Sequence, residues 1–115
     1  MEKKLPKFLE SVLWSYDLKD IDIKKDKNLI IQQVLNHGTK KHLKWLFNNY
    51  SKKQIKDVLK NPKRGFWYDN VLNYWLTIFN LKISEDKYKL AIREIFPSLE
   101  KIRIMKRILK KEIRL

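Results

Sequence analysis

The chain has 115 residues and a formal net charge of +14, and 43% of its residues are hydrophobic. This length suits a single domain, and the hydrophobic fraction argues against disorder in spite of the high charge. The absence of cysteine excludes a disulfide framework, a thiolate nucleophile and cysteine-ligated zinc. No apolar run reaches the length of a signal peptide core or a membrane span, so we expect a cytoplasmic protein without a membrane contact.

The positive charge is spread along the whole chain and comes mainly from lysine. A uniform excess of cations attracts polyanions, which indicates a nucleic acid as partner, with an acidic protein as the next choice. Abundant lysine, isoleucine and asparagine are also typical of an AT-rich coding sequence. Drift in composition is therefore an alternative explanation for part of the charge.

The first part of the chain is expected to contain two helices and one extended connector. Pro6 suits the first position of a short helix, whereas apolar and acidic residues alternate across 13–23, which indicates an extended segment. Asp26 is expected to cap the next helix, and Gly38 to end it in a left-handed C-terminal cap.

The following helix, capped by Thr39, has one apolar face and one polar face. The apolar face comprises Leu43, Leu46, Phe47 and Tyr50. Trp45 falls on the polar face, and a large exposed ring usually marks a contact site. We therefore expect Trp45 to bind a protein partner; packing under the N-terminal connector is the alternative.

Two short capped helices around a basic turn form the centre of the chain. Ser51 and Gln54 have the spacing of a capping box, and Pro62 ends the helix that they begin. Asp69 is expected to cap the second helix. The buried face of that second helix comprises Val71, Leu72, Trp75, Ile78 and Phe79. In a strongly basic chain this arrangement predicts a helix-turn-helix-like segment that binds nucleic acid.

The residues expected to bind nucleic acid lie on both central helices and in the turn. They are Lys52, Lys53, Lys56, Lys60, Lys63, Arg64, Asn70, Asn73 and Thr77. The cations can hold phosphates, and asparagine can pair with adenine in the major groove; Asn80 continues the polar stripe. The alternative for both sets is an ordinary solvated helix face.

Three consecutive aromatic residues, Phe66, Trp67 and Tyr68, follow the basic turn. We expect them to fill the gap between helices. Stacking on unpaired bases is the alternative, and it would favour RNA or single strands.

The last third of the chain ends in a wide apolar helix. Ser84 is expected to cap one helix, and Pro97 to begin the final helix, which reaches Leu115. The final helix has two apolar seams, Ile102/Met105/Leu109/Ile113 and Ile104/Ile108/Leu115. One seam is expected to pack on the chain's own Tyr88, Ile92 and Ile95. We assign Ile104, Ile108 and Leu115 to a partner: a toxin, another acidic protein, or a second copy in a homodimer.

Residues with catalytic or metal-binding potential are few. His37 and His42 do not share a helix face, and the acidic group of the connector lacks the glycine and terminal glutamate of a calcium loop. That group comprises Asp17, Asp20, Asp22 and Asp26, and turns and helix capping are its expected roles. No phosphate-binding loop or nucleophile elbow occurs. We therefore expect no enzyme activity, no cofactor and no metal site.

Together these features predict an all-α fold of five to seven helices. It is expected to be a single small helical domain with a helix-turn-helix-like centre and a C-terminal amphipathic helix. The expected division is a helical core domain of residues 1–81 and a basic C-terminal helical extension of residues 82–115.

Several spaced landmarks in the sequence resemble a family of small bacterial proteins. They are the segments 13–17 (LWSYD), 30–38 (IIQQVLNHG), 45–50 (WLFNNY) and 73–75 (NYW). The resemblance covers residues 8–81 and departs at Ser15, where an acid is common, and at Gln33, where an arginine is common. Members of that family are often encoded beside nucleotidyltransferase-type toxins of the abortive-infection class, so the resemblance implies an antitoxin-like role. It supplies no catalytic residues.

The expected function is therefore that of an antitoxin-like regulatory protein. It would bind a partner toxin, with DNA as a further partner of the basic central segment. The alternative is a small basic RNA-binding protein or a ribonuclease-type toxin.

Overall fold

The computed structural model of the protein describes residues 5–94 and 99–113. Its six α-helices are α1 (Lys27–His37), α2 (Lys40–Asn49), α3 (Lys52–Lys60), α4 (Asp69–Ile78), α5 (Glu85–Ala91) and α6 (Leu99–Ile113). Two 3₁₀ helices, Lys7–Ser11 and Leu18–Asp20, precede them. Within the described ranges all regular structure is helical, apart from an isolated parallel β-bridge between Trp67 and Ile92. The predicted all-α fold and its number of helices are confirmed.

The described residues form two compact units, which divide between Leu59 and Lys60. The first unit contains α1, α2 and nearly all of α3, and the second contains α4, α5 and α6. The predicted domain boundary after Leu81 stays a prediction.

The first unit is built around α1, which packs on α2. The apolar side chains Ile30, Ile31 and Val34 of α1 are fully buried. Its polar residues Gln32, Gln33 and Asn36 are buried as well, so α1 is covered on all sides. The remaining fully buried side chains of this unit are Leu9, Val12, Leu13, Leu46, Ile55 and Leu59.

The segment predicted to be extended is instead wound into tight turns. Asp17 Oδ1 accepts a hydrogen bond from Lys19 N and begins the second 3₁₀ helix. Asp22 Oδ1 accepts from two following backbone amides, at 2.8 and 2.9 Å. Asp26 precedes α1 as predicted, but its carboxylate accepts from the Asp22 amide rather than from the helix. Short acidic side chains that bind their own backbone therefore override the apolar alternation.

Side chains cap the starts of α3 and α5 as predicted. Ser51 N donates to Gln54 Oε1 at 2.8 Å, and Gln54 N donates to Ser51 Oγ at 3.1 Å, which completes the capping box of α3. Ser84 Oγ accepts from Lys87 N at 3.2 Å at the start of α5. Both caps satisfy amides that a helix start leaves without an intrahelical partner.

Two further predicted helix ends, besides the Asp26 cap, are wrong. Gly38 is extended, with φ −75° and ψ 152°, rather than left-handed. A Cβ at this position would lie 2.5 Å from the Val34 carbonyl oxygen, so close packing is the reason for the glycine. Asp69 does not cap α4: it is the first helical residue after Tyr68, and its carboxylate accepts a hydrogen bond from the Tyr88 hydroxyl.

Two apolar residues expected in the core are exposed. Phe47 on α2 is 44% exposed, and Ile78 on α4 is 56% exposed. The inner face of α4 comprises Leu72, Trp75 and Leu76, with Phe79 directly after the helix. Because Leu76 takes an inner position, Ile78 is turned toward solvent.

In the second unit, the segment after the basic turn pairs with the end of α5. Trp67 N donates to Ala91 O at 2.9 Å, Arg93 N donates to Trp67 O at 2.8 Å, and the Trp67 ring is fully buried. The expectation that the aromatic trio fills the interior is thus confirmed for Trp67. Phe66 is half-buried and Tyr68 is exposed.

Candidate functional site

One face of α3 carries a set of lysines that we call the basic face. It comprises Lys52, Lys53, Lys56 and Lys60, of which three are exposed and Lys56 is half-buried. The opposite face of α3 buries Ile55, Val58 and Leu59. None of the four ammonium groups forms an ion pair with a described carboxylate. At 1.5 Å per residue the four charges extend over about 12 Å of helix, a length that spans several phosphates of one strand.

The other predicted nucleic-acid residues belong to the second unit. Lys63 and Arg64 are exposed in the turn and each has interactions within the chain. Gly65, which follows them, is left-handed with φ +70°, and its N donates to Leu90 O at 2.8 Å. The predicted set is therefore divided: Lys52, Lys53 and Lys56 belong to the first unit, whereas Lys60, the turn and α4 belong to the second.

The polar stripe of α4 is solvent-exposed. Asn70, Asn73 and Thr77 are all exposed, and Thr77 Oγ1 donates to the Asn73 carbonyl at 2.8 Å. Tyr74 and Ile78 are more than half exposed on the same helix. The outward side of α4 thus mixes amides with apolar side chains. It is not a purely polar face of the kind that contacts base edges.

Trp45, predicted to bind a partner, is partly buried. Its ring meets the Tyr50 ring edge-on at 6.1 Å between centroids. The most exposed tryptophan ring described is that of Trp14, at 60%. A tight turn closed by Tyr16 N and Leu13 O holds Trp14, and its ring lies edge-on to His37 at 4.9 Å. Sequence periodicity could not find this ring, because Trp14 lies in a turn; the LWSYD landmark was the available signal.

His42 has a structural role in the first unit. Its Nδ1 accepts from Thr39 N at 3.0 Å, completing a capping box with Thr39 at the start of α2. Its Nε2 lies 3.0 Å from the Phe8 carbonyl and 2.9 Å from Ser11 Oγ. Because Nδ1 accepts a backbone N–H, the proton of the neutral ring is on Nε2, which donates to Phe8. Both nitrogens are therefore engaged inside the protein.

A cleft of about 1130 Å³ opens between the N-terminal segment, the connector and the end of α2. Among the lining residues, Tyr50 donates from its hydroxyl to the Ile23 carbonyl at 2.7 Å. Burial raises the pKa of Tyr50, and the charges of Asp22 and Asp26 add to this shift. Backbone hydrogen bonds from Lys25 and Lys24 lower the pKa of Asp22. Lysines and carboxylates share the lining, so the cleft is not a concentrated patch of positive charge.

In the second unit, α6 packs on α5 and buries one side. Ile104 is 2% exposed and Lys101 is 6% exposed, with Lys101 Nζ donating to the Ile92 carbonyl. Ile108 is half-buried, whereas Met105 and Leu109 are 42% and 47% exposed. The assignment of the two seams is thereby corrected: Ile104 belongs to the interior of the unit, and the Met105/Leu109 seam faces outward. The predicted positions Ile95 and Leu115, and the side chain of Ile113, lie outside the described residues.

Among the described residues, no group of three or more histidine, aspartate or glutamate side chains is placed to hold a metal ion. In the same part of the chain, no helix is both long enough and apolar enough to cross a bilayer.

Comparison with known proteins gives one match. Residues 8–59 match a family of unknown function (DUF6922). No curated protein and no solved structure is similar to the chain. The matched segment covers Trp14, His42 and most of the basic face, and it ends at Leu59, where the first compact unit ends. The chain is thus similar to that family over its first unit.

Proposed function

We propose that the chain is a non-catalytic, antitoxin-like binding protein that contacts nucleic-acid phosphates through the basic face of α3. The observation that carries the proposal is the set of four lysines on one helix face, none of them paired with a described carboxylate. Binding to phosphates costs such cations no ion pair with a described carboxylate, and it releases counterions from the nucleic acid. The engagement of both His42 ring nitrogens inside the protein supports a non-catalytic role.

The proposal is tested by measuring the salt dependence of duplex DNA binding. A labelled duplex is titrated with the wild type and with K52Q/K53Q/K56Q/K60Q at several salt concentrations between 50 and 200 mM. If all four lysines contact phosphates, the slope of log K against log salt should become shallower by about 3.6, at about 0.9 per contact. The variant should weaken binding to all sequences alike, because phosphates carry no sequence information.

A matched control separates the basic face from net charge. The variant K24Q/K25Q/K40Q/K44Q removes four exposed lysines from elsewhere in the first unit. It lowers the net charge equally and should change the slope much less. Equal effects of the two variants, or no binding of the wild type at 50 mM salt, would contradict the proposal.

A second candidate is single-stranded RNA, and the exposed rings of Trp14 and Tyr16 favour it. Aromatic rings beside cations can stack on unpaired bases, at about 1–3 kcal/mol per base. A single-stranded RNA probe that binds more tightly than the duplex, and weakens with Trp14→Ala, would select this candidate.

The antitoxin part of the proposal concerns a protein partner. It is supported by the landmark resemblance described above and by the exposed apolar seam of α6. Co-purification of the untagged product of the neighbouring gene with the tagged chain tests it. If the co-expressed gene product does not co-purify with the chain, the antitoxin part of the proposal is wrong. The nucleic-acid part does not depend on this result.

A further inference from the structure

The helix α6 presents an apolar stripe to solvent, which we call the outer stripe. It comprises Ile102, Met105 and Leu109, at spacings of three and four residues. These spacings place the three side chains along one side of a helix, in the arrangement of a coiled-coil seam. Met105 and Leu109 are 42% and 47% exposed, and Ile102 is half-buried. The side of α6 that carries Lys101 and Ile104 is already buried, so the outer stripe is a second, separate face.

Every charged side chain of α6 that the structure describes is a cation; the two acidic residues of the helix, Glu100 and Glu112, have side chains outside the described part. Residues 101–110 contain five cations and no acidic residue. Arg103, Lys106 and Lys110 are exposed, and Lys106 borders the stripe directly by helical spacing. Arg107 lies 3.8 Å from Asp86 of α5, so its charge is turned toward its own unit. An occupant of the stripe therefore meets apolar side chains flanked by Lys106 and Lys110, neither of which pairs with a described carboxylate.

We infer that the outer stripe binds an acidic amphipathic helix of another protein. Large aliphatic side chains of that helix, such as leucine, would cover Met105 and Leu109. Its glutamates or aspartates would face Lys106 and Lys110. A second copy of the chain would bring two sets of like charges together in either orientation, which costs rather than gains energy. A nucleic acid would satisfy the cations but leave the apolar stripe uncovered. This inference rests on the partner-binding part of the proposed function and is independent of the basic face of α3.

The test uses a synthetic helical peptide with leucine at the seam positions and glutamate at the flanking positions. A second peptide with lysine in place of glutamate is the matched probe. Binding to the full chain is followed by fluorescence anisotropy. We expect the glutamate peptide to bind at least tenfold more tightly than the lysine peptide, and its affinity to fall with salt.

Two variants separate the apolar and the charged contributions. M105Q/L109Q keeps the charges and should lower the affinity for the glutamate peptide at least tenfold. K106Q/K110Q keeps the apolar stripe; it should also lower this affinity, and the remaining binding should no longer depend on salt. The control Y74Q/I78Q changes two side chains of α4 with similar exposure and should leave binding unchanged. Unchanged circular dichroism of all three variants shows that they fold.

Three results would overturn the inference. The first is glutamate-peptide binding that M105Q/L109Q leaves unchanged, because the surface would then act through charge alone. The second is a wild-type dimer by light scattering that M105Q/L109Q dissociates, since a second copy would then be the occupant. The third is equal binding of the two peptides. If one of these results is obtained while the basic face of α3 still binds DNA, only this inference fails. If the chain does not bind DNA, the peptide result still stands, because it does not depend on the basic face.

Discussion

His42 combines near-complete burial with a partner for each ring nitrogen. It is 8% exposed, and it joins the start of α2 to the 3₁₀ helix Lys7–Ser11 through the Phe8 carbonyl. The ring thus takes the place of the glutamate or glutamine of an ordinary capping box, and its second nitrogen contacts the Phe8 carbonyl. A polar residue in this position stabilises the fold because its removal takes a hydrogen-bond partner from each of two part-buried contacts.

Replacing His42 by alanine should lower the free energy of unfolding by about 1–3 kcal/mol, since the Thr39 amide loses its acceptor and the Phe8 carbonyl keeps only the Ser11 hydroxyl as a donor. His42→Gln keeps an acceptor for Thr39 and should recover part of this loss. Urea unfolding followed by circular dichroism measures both. The control is His37→Ala, which removes a half-buried ring next to the exposed Trp14 and should cost less than about 1 kcal/mol. Equal losses for the two histidines would contradict the assignment.

Tyr88 gives the second unit a dependence on alkaline pH. Its hydroxyl donates to the carbonyl and the carboxylate of Asp69. Burial raises the pKa of Tyr88 to about 12, and the hydrogen bond to Asp69 and its charge add to the shift. The unfolded chain releases this proton near pH 10, so the folded state holds more protons between about pH 10 and 12. The contribution of Tyr88 to stability is therefore complete below pH 10 and is lost as the pH rises toward 12.

The expected result is a stability difference between the wild type and Tyr88→Phe that shrinks as the pH rises from 10 to 12. Urea midpoints at pH 8, 10, 11 and 12 measure this difference. Deprotonation of lysines affects both proteins alike and cancels in the comparison. A difference that stays constant across the range would show that the hydroxyl contact does not persist in solution.

At the scale of helices, the local caps of α3 and α5 were predictable, whereas the Asp26 cap and the tertiary contacts at helix ends were not. Ser51 with Gln54 and Ser84 were identified from sequence because their hydrogen bonds join residues three apart. Gly38 and Asp69 were assigned wrongly because their surroundings include residues distant in sequence or on the next helix. Asp69 is bound by Tyr88, nineteen residues away, and nothing in the local pattern of α4 encodes that contact.

The two glycines should respond to the same substitution for different reasons. A Cβ at Gly38 would lie 2.5 Å from the Val34 carbonyl oxygen and 2.9 Å from His42 Cβ, so Gly38→Ala should cost about 1–3 kcal/mol through crowding. Gly65 has φ +70° with open space around it, so Gly65→Ala should cost about 1–2 kcal/mol through backbone strain.

Asparagine substitutions distinguish crowding from strain. Gly65→Asn should be more stable than Gly65→Ala, because asparagine tolerates the left-handed region. Gly38→Asn should be no better than Gly38→Ala, because its larger side chain meets the same backbone oxygen. Thermal melts of the four variants make the comparison; recovery by asparagine at position 38 would contradict the packing explanation.

At the scale of the whole chain, the sequence identified which residues of α6 are apolar but not which seam faces outward. The two seams have similar composition, and the buried side of α6 includes a cation, Lys101, whose ammonium donates to the Ile92 carbonyl. A pattern of apolar and charged residues places a lysine such as Lys101 in solvent. The side of α6 that carries Lys101 and Ile104 was therefore predicted to face outward, although it is buried. The basic face of α3 was predictable because its lysines and its buried residues separate cleanly around one helix.

The end of the family match and the end of the first compact unit coincide at Leu59, which suggests that this unit folds by itself. We expect a fragment of residues 1–62 to give a helical circular dichroism spectrum and a cooperative urea transition. Its free energy of unfolding should not exceed about 5 kcal/mol, the usual limit for a core of this size. The control fragment 1–49 lacks the hydroxyl of Tyr50 that binds Ile23 and the buried Ile55 and Leu59 of α3, and it should be unfolded. A disordered 1–62 fragment would mean that the first unit depends on the rest of the chain.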